Sequence, residues 1–270
     1  MKRNFFYLCF VALLFVCNTS IFANTKAIDS VPLSYAPGIW FLSVGGGMQY
    51  PQWHKRMHAS NTPELFETYD KDSYSTRKRS ESVFVLSAGR RWQRDSDWFP
   101  SYSFEALWQH FFRTQLGKNI TSYSDDEMND YKYNWELTSN VVLATAKLNL
   151  VHYGRFAPYI QGGIGSSFNR TSNYKELALT KTTPRTNPKY SNFSTSEFAY
   201  LLGIGVDLQL NSKLSITVGY NFLDLGQISS GPGKEDWSNQ SLTPGSYHSN
   251  EVLITITYLF GKQHPAYKEK

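Results

Sequence analysis

The sequence predicts an all-β fold, an eight-stranded antiparallel up-and-down transmembrane β-barrel with four long extracellular loops and short periplasmic turns. Segments of about ten residues alternate large apolar with small or polar side chains. The connections between these segments alternate between long and short. After residue 23 there is no run of about 18 apolar residues, so no membrane-spanning helix is expected.

The composition excludes several classes of protein. The 270 residues include 27 Lys and Arg against 22 Asp and Glu, a balance that does not favour nucleic-acid binding. Aromatic residues reach 16% although the mean hydropathy is −0.42, so many large rings occur in a chain that is polar on average. The two cysteines are Cys9 and Cys17. The rest of the chain therefore offers no disulfide, thiol nucleophile or thiolate metal site.

Residues 1–23 have the pattern of a removed secretory signal. Met1-Lys2-Arg3 is basic, Phe5 to Val16 is almost wholly apolar, and Ile21-Phe22-Ala23 fits a signal-peptidase site. A lipoprotein acylated at Cys17 and an uncleaved N-terminal anchor are the alternatives. The remaining regions are expected to be a periplasmic N-terminal arm at 24–37, the transmembrane β-barrel domain at 38–261 and a periplasmic C-terminal tail at 262–270.

The predicted strands share one apolar face. In chain order they are Ile39–Tyr50, Val83–Trp92, Tyr102–Phe112, Val141–Val151, Pro158–Phe168, Tyr200–Leu210, Leu214–Phe222 and Val252–Phe260. In the first five, one face has Trp, Leu, Val, Phe, Ile or Ala and the other has Ser, Gly, Gln, Glu, Lys or Arg. The last three alternate between apolar and other residues with a strict period of two. In hydrocarbon every backbone polar group needs an internal partner, so such strands can cross only as a closed barrel.

The connections predict which end of the barrel faces outward. The long ones are 51–81, 113–137, 169–197 and 223–249, and the short ones are 93–101, 152–157 and 211–213. Outer-membrane barrels have tight periplasmic turns and large extracellular loops. Aromatic residues near the strand ends predict a girdle at each membrane interface, with Tyr50, Phe112, Phe198 and Phe222 among those toward the long loops.

These features resemble the OmpA-type and OmpX-type eight-stranded outer-membrane barrels. The resemblance rests on the signal segment, the eight alternating segments, the run Pro158-Tyr159-x-x-Gly162-Gly163-x-Gly165 and the amphipathic last strand. It covers residues 38–261. One departure is that Gly261 to Lys270 follow Phe260, so recognition by the barrel-assembly machinery would depend on an internal strand.

The predicted lumen contains charged side chains from different strands. Arg91, Glu105, Lys147 and Asp207 fall on the face opposite the apolar one, and Gln161 joins them. Eight strands enclose a space only wide enough for side chains. Opposite charges there are expected to pair and fill the lumen, while a gated ion path or proton relay is the alternative reading.

Residues that could support catalysis or bind a metal lack the required spacing. His248 and Ser249 are adjacent, so on a strand they point to opposite faces and cannot share a hydrolase site without a bulge. His54 and His58 lie in a predicted loop. The acidic run Asp125-Asp126-Glu127 with Asp130 lacks the pattern of a calcium loop. The sequence therefore predicts no catalytic, cofactor or metal site.

The loop 169–197 is rich in basic residues. Arg170, Lys175, Lys181, Arg185 and Lys189 could contact lipopolysaccharide phosphates, although a solvated variable loop would have the same composition. Tyr and Asn are abundant in the long loops, and such surfaces suit binding.

The expected protein is a monomeric, non-enzymatic barrel of a Gram-negative outer membrane. Its expected role, as the resemblance implies, is structural support with surface interaction through the long loops, such as adhesion or host contact. A small ion or hydrophobic-solute channel and a lipid A-modifying enzyme are the alternatives. The expected partners are outer-membrane lipid and lipopolysaccharide, the barrel-assembly machinery and an extracellular or host ligand, with no nucleic acid.

Overall fold

The computed structural model describes residues 38–60, 71–94, 96–125, 128–179, 189–234 and 238–260. The predicted signal segment, N-terminal arm and C-terminal tail lie outside these ranges. The described residues form eleven strands and one short 3-10 turn, Ser122–Ser124.

A search for apolar helices long enough to span a membrane finds none among the residues described.

Eight long strands and three short ones make up the structure. The long strands are β1 (Ile39–Gln52), β4 (Glu81–Gln93), β5 (Trp98–Gln115), β7 (Tyr131–Val151), β8 (Phe156–Ala178), β9 (Phe193–Gln209), β10 (Leu214–Ile228) and β11 (Gly245–Leu259). The short strands are β2 (Arg56–Ser60), β3 (Lys71–Thr76) and β6 (Gly117–Thr121). Each predicted segment coincides with one of the long strands.

The eight long strands form a closed antiparallel ring in the order β1-β4-β5-β7-β8-β9-β10-β11. Val44 of β1 pairs with Leu86 of β4 on one side and with Ile256 of β11 on the other. The backbone N–H of Phe260 also donates to the carbonyl oxygen of Trp40 at 2.8 Å. The first and last strands of the barrel therefore bond to each other, and the predicted fold class is confirmed.

The outer wall of the ring is a belt of exposed apolar side chains. Val44 is 44% exposed, Ile254 56% and Ile164 60%, although large aliphatic residues are normally buried. The belt includes residues from all eight strands, with Leu42, Met48, Leu86, Phe104, Trp108, Val142, Ile160, Leu202, Ile204, Val218, Val252 and Ile256 among its members. A soluble monomer rarely exposes so large a contiguous apolar area. The belt is therefore the surface that meets lipid.

The periplasmic rim of the belt has the predicted aromatic girdle. The Arg90 guanidinium lies 5.8 Å from the ring centroid of Trp40 and 5.6 Å from that of Trp92. The Arg90 Nε also donates to the carbonyl oxygen of Gly38 at 3.0 Å. Amphipathic aromatic rings prefer the membrane interface, and the Arg90 guanidinium that lies among them is held at the same interface.

The long connections contain more structure than the sequence predicts. β2 and β3 lie inside 51–81, and β6 lies inside 113–137. The barrel strands also continue past the predicted ends, since β7 begins at Tyr131 and β8 runs to Ala178. The sequence does not reveal these strands because pairing continues above the membrane, where alternation no longer separates lipid from lumen.

The extra strands form a sheet on top of one side of the barrel, in the order β2-β3-β6-β7. Tyr74 of β3 pairs with Met57 of β2 and Ile120 of β6, and Ile120 pairs with Tyr131 of β7. We call these three strands, together with the parts of β7 and β8 beyond the membrane, the extracellular cap.

We expect a charge on the apolar belt to destabilise the barrel according to its depth. Val44→Arg places a cation near the middle of β1 and should lower the free energy of unfolding by about 2–4 kcal/mol. Tyr50→Arg, in the girdle at the extracellular end of the same strand, should cost about 1 kcal/mol or less. Urea titrations of both variants in lipid vesicles would measure the difference, and equal costs would contradict the assignment of the belt to lipid.

Candidate functional site

Asp207 is the centre of a polar network in the periplasmic half of the lumen. Its Oδ1 accepts from the Lys147 ammonium at 2.6 Å and from the Thr217 hydroxyl at 2.5 Å. Its Oδ2 accepts from Asn149 at 2.9 Å and lies 3.9 Å from the Arg91 guanidinium. The Asp207 side chain is only 4% exposed, so its charge is compensated by two cations rather than by water.

The predicted lumen residues also form hydrogen bonds with neutral groups. Arg91 donates to the Ser101 hydroxyl at 2.8 Å. Glu105 accepts from the hydroxyls of Ser87 at 2.8 Å and Thr145 at 3.0 Å. Gln161 donates to Asn221 at 2.8 Å. The structure thus places all five predicted lumen side chains inside the ring and brings three of them, Arg91, Lys147 and Asp207, into one charged cluster.

Little open space remains around this network. The cavity lined by Arg91, Glu105, Lys147 and Asp207 has a volume of about 60 Å³, which accommodates a few water molecules. The Lys147 ammonium lies 4.0 Å from the centroid of the Tyr159 ring. A Cβ on Gly219 would lie 2.2 Å from the Tyr159 hydroxyl, so glycine is required there for the ring to cross the lumen.

A second group of buried polar residues lies toward the extracellular side. Glu251 is fully buried and accepts from the Gln109 amide at 3.1 Å. Gln49 accepts from the hydroxyls of Tyr247 at 2.5 Å and Ser249 at 3.2 Å. Between the two polar groups the lumen is lined by aliphatic side chains, which include Val85, Leu107, Leu143, Leu201 and Leu253.

The extracellular end of the lumen is filled by an apolar core that is continuous with the cap. Trp135, Phe111 and Leu116 are at most 1% exposed. The core also contains Trp53, Met57, Tyr74, Ile120, Tyr133, Leu137, Tyr174, Tyr190, Leu223, Leu225, Ile228, Leu242 and Tyr247. These side chains come from both barrel strands and cap strands, so the cap is packed into the mouth of the barrel.

Tyrosine rings in the cap contact each other edge to face. The ring of Tyr74 lies 5.4 Å from that of Tyr133, and Tyr174 lies 5.0 Å from Tyr190, at interplanar angles of 83° and 84°. The Tyr133 hydroxyl donates to the carbonyl oxygen of Ser75 at 2.9 Å, and the Tyr174 hydroxyl donates to Glu176. Burial raises the pKa of both Tyr133 and Tyr174 above the usual value, since a buried phenolate would lose its hydration.

The predicted lipopolysaccharide contacts are only partly described. Arg170 and Lys175 are exposed on β8, and Lys189 is exposed before β9. Lys181 and Arg185 lie outside the described residues. Arg170 follows the exposed girdle residue Phe168 by two positions on the same strand face, which is the level at which lipid headgroups begin. A role for these residues in lipopolysaccharide binding stays a prediction.

His248 and Ser249 are separated as strand geometry requires. His248 Nε2 lies 3.2 Å from Asp224 Oδ2, and its ring stacks on Phe222 on the outer wall. Ser249 is fully buried and points into the lumen. The two residues therefore do not share a site.

Within the described ranges there is no group of three or more His, Cys, Asp or Glu side chains that could hold a metal ion. The imidazole of His54 lies beside Gly245, where a Cβ would come within 2.7 Å of the ring. Asp126 and Glu127 of the acidic run are not among the described residues.

Sequence reasoning placed Gln109 on the lumen face but missed its buried partner Glu251 and the apolar core of the cap. The same period of two that defines β11, continued from Val252 toward the N-terminus of the strand, would have placed Glu251 and Tyr247 in the lumen. Met57 and Ala59 in β2 also alternate, but a segment of five residues is too short to distinguish from a loop.

The closed ring, the lipid-facing belt and the polar lumen decide the class of protein. The chain is an eight-stranded β-barrel of the outer-membrane type. Its resemblance to OmpA-type and OmpX-type barrels is confirmed at the level of architecture, and barrels of this kind reside in the outer membrane. The predicted location in that membrane follows.

Comparisons with known proteins identify similar structures but no related sequence. No family model and no curated protein sequence matches the chain. Among solved structures, OprG of Pseudomonas aeruginosa is similar at 13% identity and a TM-score of 0.48, over 83% of this chain and 97% of that one. Neisserial surface protein A is similar at 12% identity and a TM-score of 0.43, over 82% and 97%.

A third similar structure is that of Ail, the attachment invasion locus protein of Yersinia pestis, in complex with the heparin analogue sucrose octasulfate. The identity is 10% and the TM-score 0.37, over 83% of this chain and 99% of that one. At these identities the likeness concerns the fold alone.

We expect Asp207→Asn to destabilise the barrel strongly, because it leaves Lys147 and Arg91 in the lumen without their carboxylate. The loss of stability should be about 3–5 kcal/mol. The double variant Asp207→Asn with Lys147→Met removes one charge of each sign and should recover part of the lost stability. Unfolding titrations in detergent micelles would show this, and an Asp207→Asn protein as stable as the parent would contradict the charge pairing.

We expect Tyr133 and Tyr174 to resist ionisation while the cap is folded. Because their pKa values are raised in the folded state, the neutral phenols stabilise the cap below the unfolded pKa of about 10, and this contribution is lost as the pH rises above it. Absorbance of phenolate during alkaline titration should show fewer ionising tyrosines in the folded protein than in the urea-unfolded chain. Replacing both with Phe should leave the folded titration unchanged and reduce only the unfolded one.

Proposed function

We propose that this protein is a non-conducting, non-enzymatic outer-membrane barrel that supports the membrane and presents a structured extracellular cap for surface interaction. The observation that supports it most directly is the apolar core centred on Trp135 and Phe111, which fills the extracellular mouth of the lumen. A pore needs a continuous aqueous path, whereas this mouth is packed with side chains from both the barrel and the cap.

The cap has the features of a contact surface. Leu177 is 69% exposed, Tyr123 51% and Met128 44%, all at levels beyond the membrane. Leu177 lies on β8, and Tyr123 and Met128 lie in the connection between β6 and β7. Exposed apolar side chains held on a structured surface are typical of protein interaction sites, since little conformational entropy is lost on binding. Adhesion to a host or extracellular ligand is the surface interaction that we favour.

The absence of enzymatic activity is supported by the separation of His248 and Ser249 onto opposite faces of β11. Lipid and lipopolysaccharide of a Gram-negative outer membrane are the proposed surroundings, and the barrel-assembly machinery is the proposed partner during insertion. We further propose that the barrel works as a monomer, because the ring closes on itself within one chain.

Two measurements test the proposal. In planar bilayers the purified protein should give no stable conductance steps, and reproducible openings would favour a channel instead. Bacteria that display the protein should adhere to host cells or matrix more strongly than cells without it. Leu177→Ser combined with Tyr123→Ser should reduce this adhesion at least about tenfold, the usual effect of removing central contacts of an interface.

Tyr153→Ser provides the control for adhesion, because Tyr153 is 81% exposed but lies in a periplasmic turn. This variant should adhere as the parent does. An unchanged adhesion of the Leu177 and Tyr123 variant, at equal surface expression, would contradict a role for the cap.

A further inference from the structure

Five basic residues lie where the β2–β3 hairpin joins the barrel. They are Lys55, Arg56, Arg77, Lys78 and Arg79, and all five are exposed. We call this group the basic collar. Its two halves are about twenty residues apart in a region predicted to be a loop, so the sequence does not reveal that they lie together.

Backbone hydrogen bonds hold the two halves of the collar side by side. The N–H of Thr76 donates to the carbonyl oxygen of Lys55 at 2.9 Å, and the Thr76 hydroxyl donates to the carbonyl oxygen of His54 at 2.6 Å. Arg56 pairs with Ser75 across the hairpin. The N–H of Arg77 donates to the carbonyl oxygen of Leu116, which anchors this segment on the cap core. The position of the collar is therefore fixed by the fold.

The collar lies at the level of lipid headgroups. Lys78 donates its ammonium to the side-chain oxygen of Gln52 at 2.9 Å. Gln52 is on the outer face of β1, two residues beyond the girdle residue Tyr50, which is 46% exposed. Two residues span about 7 Å along a strand, so the Lys78 contact lies just outside the aromatic girdle, where lipid phosphates are found.

Like charges are concentrated in the collar. Partial burial and the nearby positive charge of Lys55 both lower the pKa of Lys78. Arg79 lies 3.5 Å from Glu81, which partly neutralises its charge. A bound anion would relieve the repulsion between the Lys55 and Lys78 ammonium groups.

We propose that the basic collar binds the phosphate groups of lipid A in the outer leaflet, with Lys55, Arg77 and Lys78 contacting phosphate oxygens. Ammonium and guanidinium groups form charge-assisted hydrogen bonds with phosphate, and three of them can surround one such group. The apolar belt directly below the collar gives the acyl chains of the same lipid a surface to pack against. The assignment rests on the proposed outer-membrane location and is independent of adhesion and of conductance.

The test uses purified protein in detergent with purified lipid A as the probe. Lys55→Gln, Arg77→Gln and Lys78→Gln together should weaken lipid A binding at least about tenfold, and Lys78→Gln alone should weaken it measurably. The matched control is Lys71→Gln, Lys213→Gln and Lys234→Gln, which removes three exposed positive charges that lie outside the collar. This control should bind nearly as the parent does. The heat-dependent mobility of the folded barrel on gels verifies that each variant is folded.

Two further probes identify the source of the phosphate. Lipid A without its phosphates should bind the parent protein at least about tenfold more weakly than intact lipid A. High salt should weaken the binding of intact lipid A. Inorganic phosphate at equal concentration should not displace lipid A, because it lacks the acyl chains that pack on the belt.

Three outcomes would overturn the proposal. They are equal binding of lipid A with and without phosphates, an equal loss of binding in the collar and control variants, and displacement by inorganic phosphate as effective as that by lipid A itself. A protein that conducts or fails to adhere would contradict the proposed function while leaving this result unaffected.

Discussion

The need to pair every backbone amide within the hydrocarbon layer determines this structure. Water is absent there, so an open sheet edge would leave a row of N–H and C=O groups without partners. The pairing of β1 with β11 removes that edge, and it runs without interruption from Phe41 and Leu259 to Gln52 and His248. Because the ring must close, each strand has only two environments for its side chains, the lipid and the lumen. The alternation visible in the sequence is a consequence of this closure.

The described lumen has four layers with different chemistry. Paired charges around Asp207 occupy the periplasmic half, and aliphatic residues lie above them. The hydrogen-bonded group of Gln49, Gln109 and Glu251 comes next, and aromatic residues continue from the extracellular mouth into the cap. The polar layers are enclosed and hydrogen-bonded, which fixes how the strands face each other. The aromatic layer joins the cap to the barrel, so the surface that the cap presents is supported from within the membrane. In the proposed function, structural support and surface display depend on the same packed interior.

The sequence predicted the membrane part of the fold well and the extracellular part poorly, for a physical reason. Between Trp40 and Tyr50 one face must be apolar, so a period of two is visible in the residues themselves. Above the girdle both faces meet water, protein or polar headgroups, and β2, β3 and β6 leave no such signature. The lumen charges were predictable because Asp207 and Lys147 interrupt an otherwise small-residue face. Which of these charged side chains form ion pairs was not predictable, because the stagger between strands decides which of them lie at the same level of the lumen.

The length of β8 sets how far the proposed interaction surface lies from the membrane. Ten residues separate the girdle residue Phe168 from the end of the strand at Ala178, and at the usual rise and tilt they extend about 25 Å outward. Leu177, next to that end, therefore stands well above the lipid headgroups. In the proposed surface interaction, a partner with a broad, flat face would reach Leu177 without touching the bilayer.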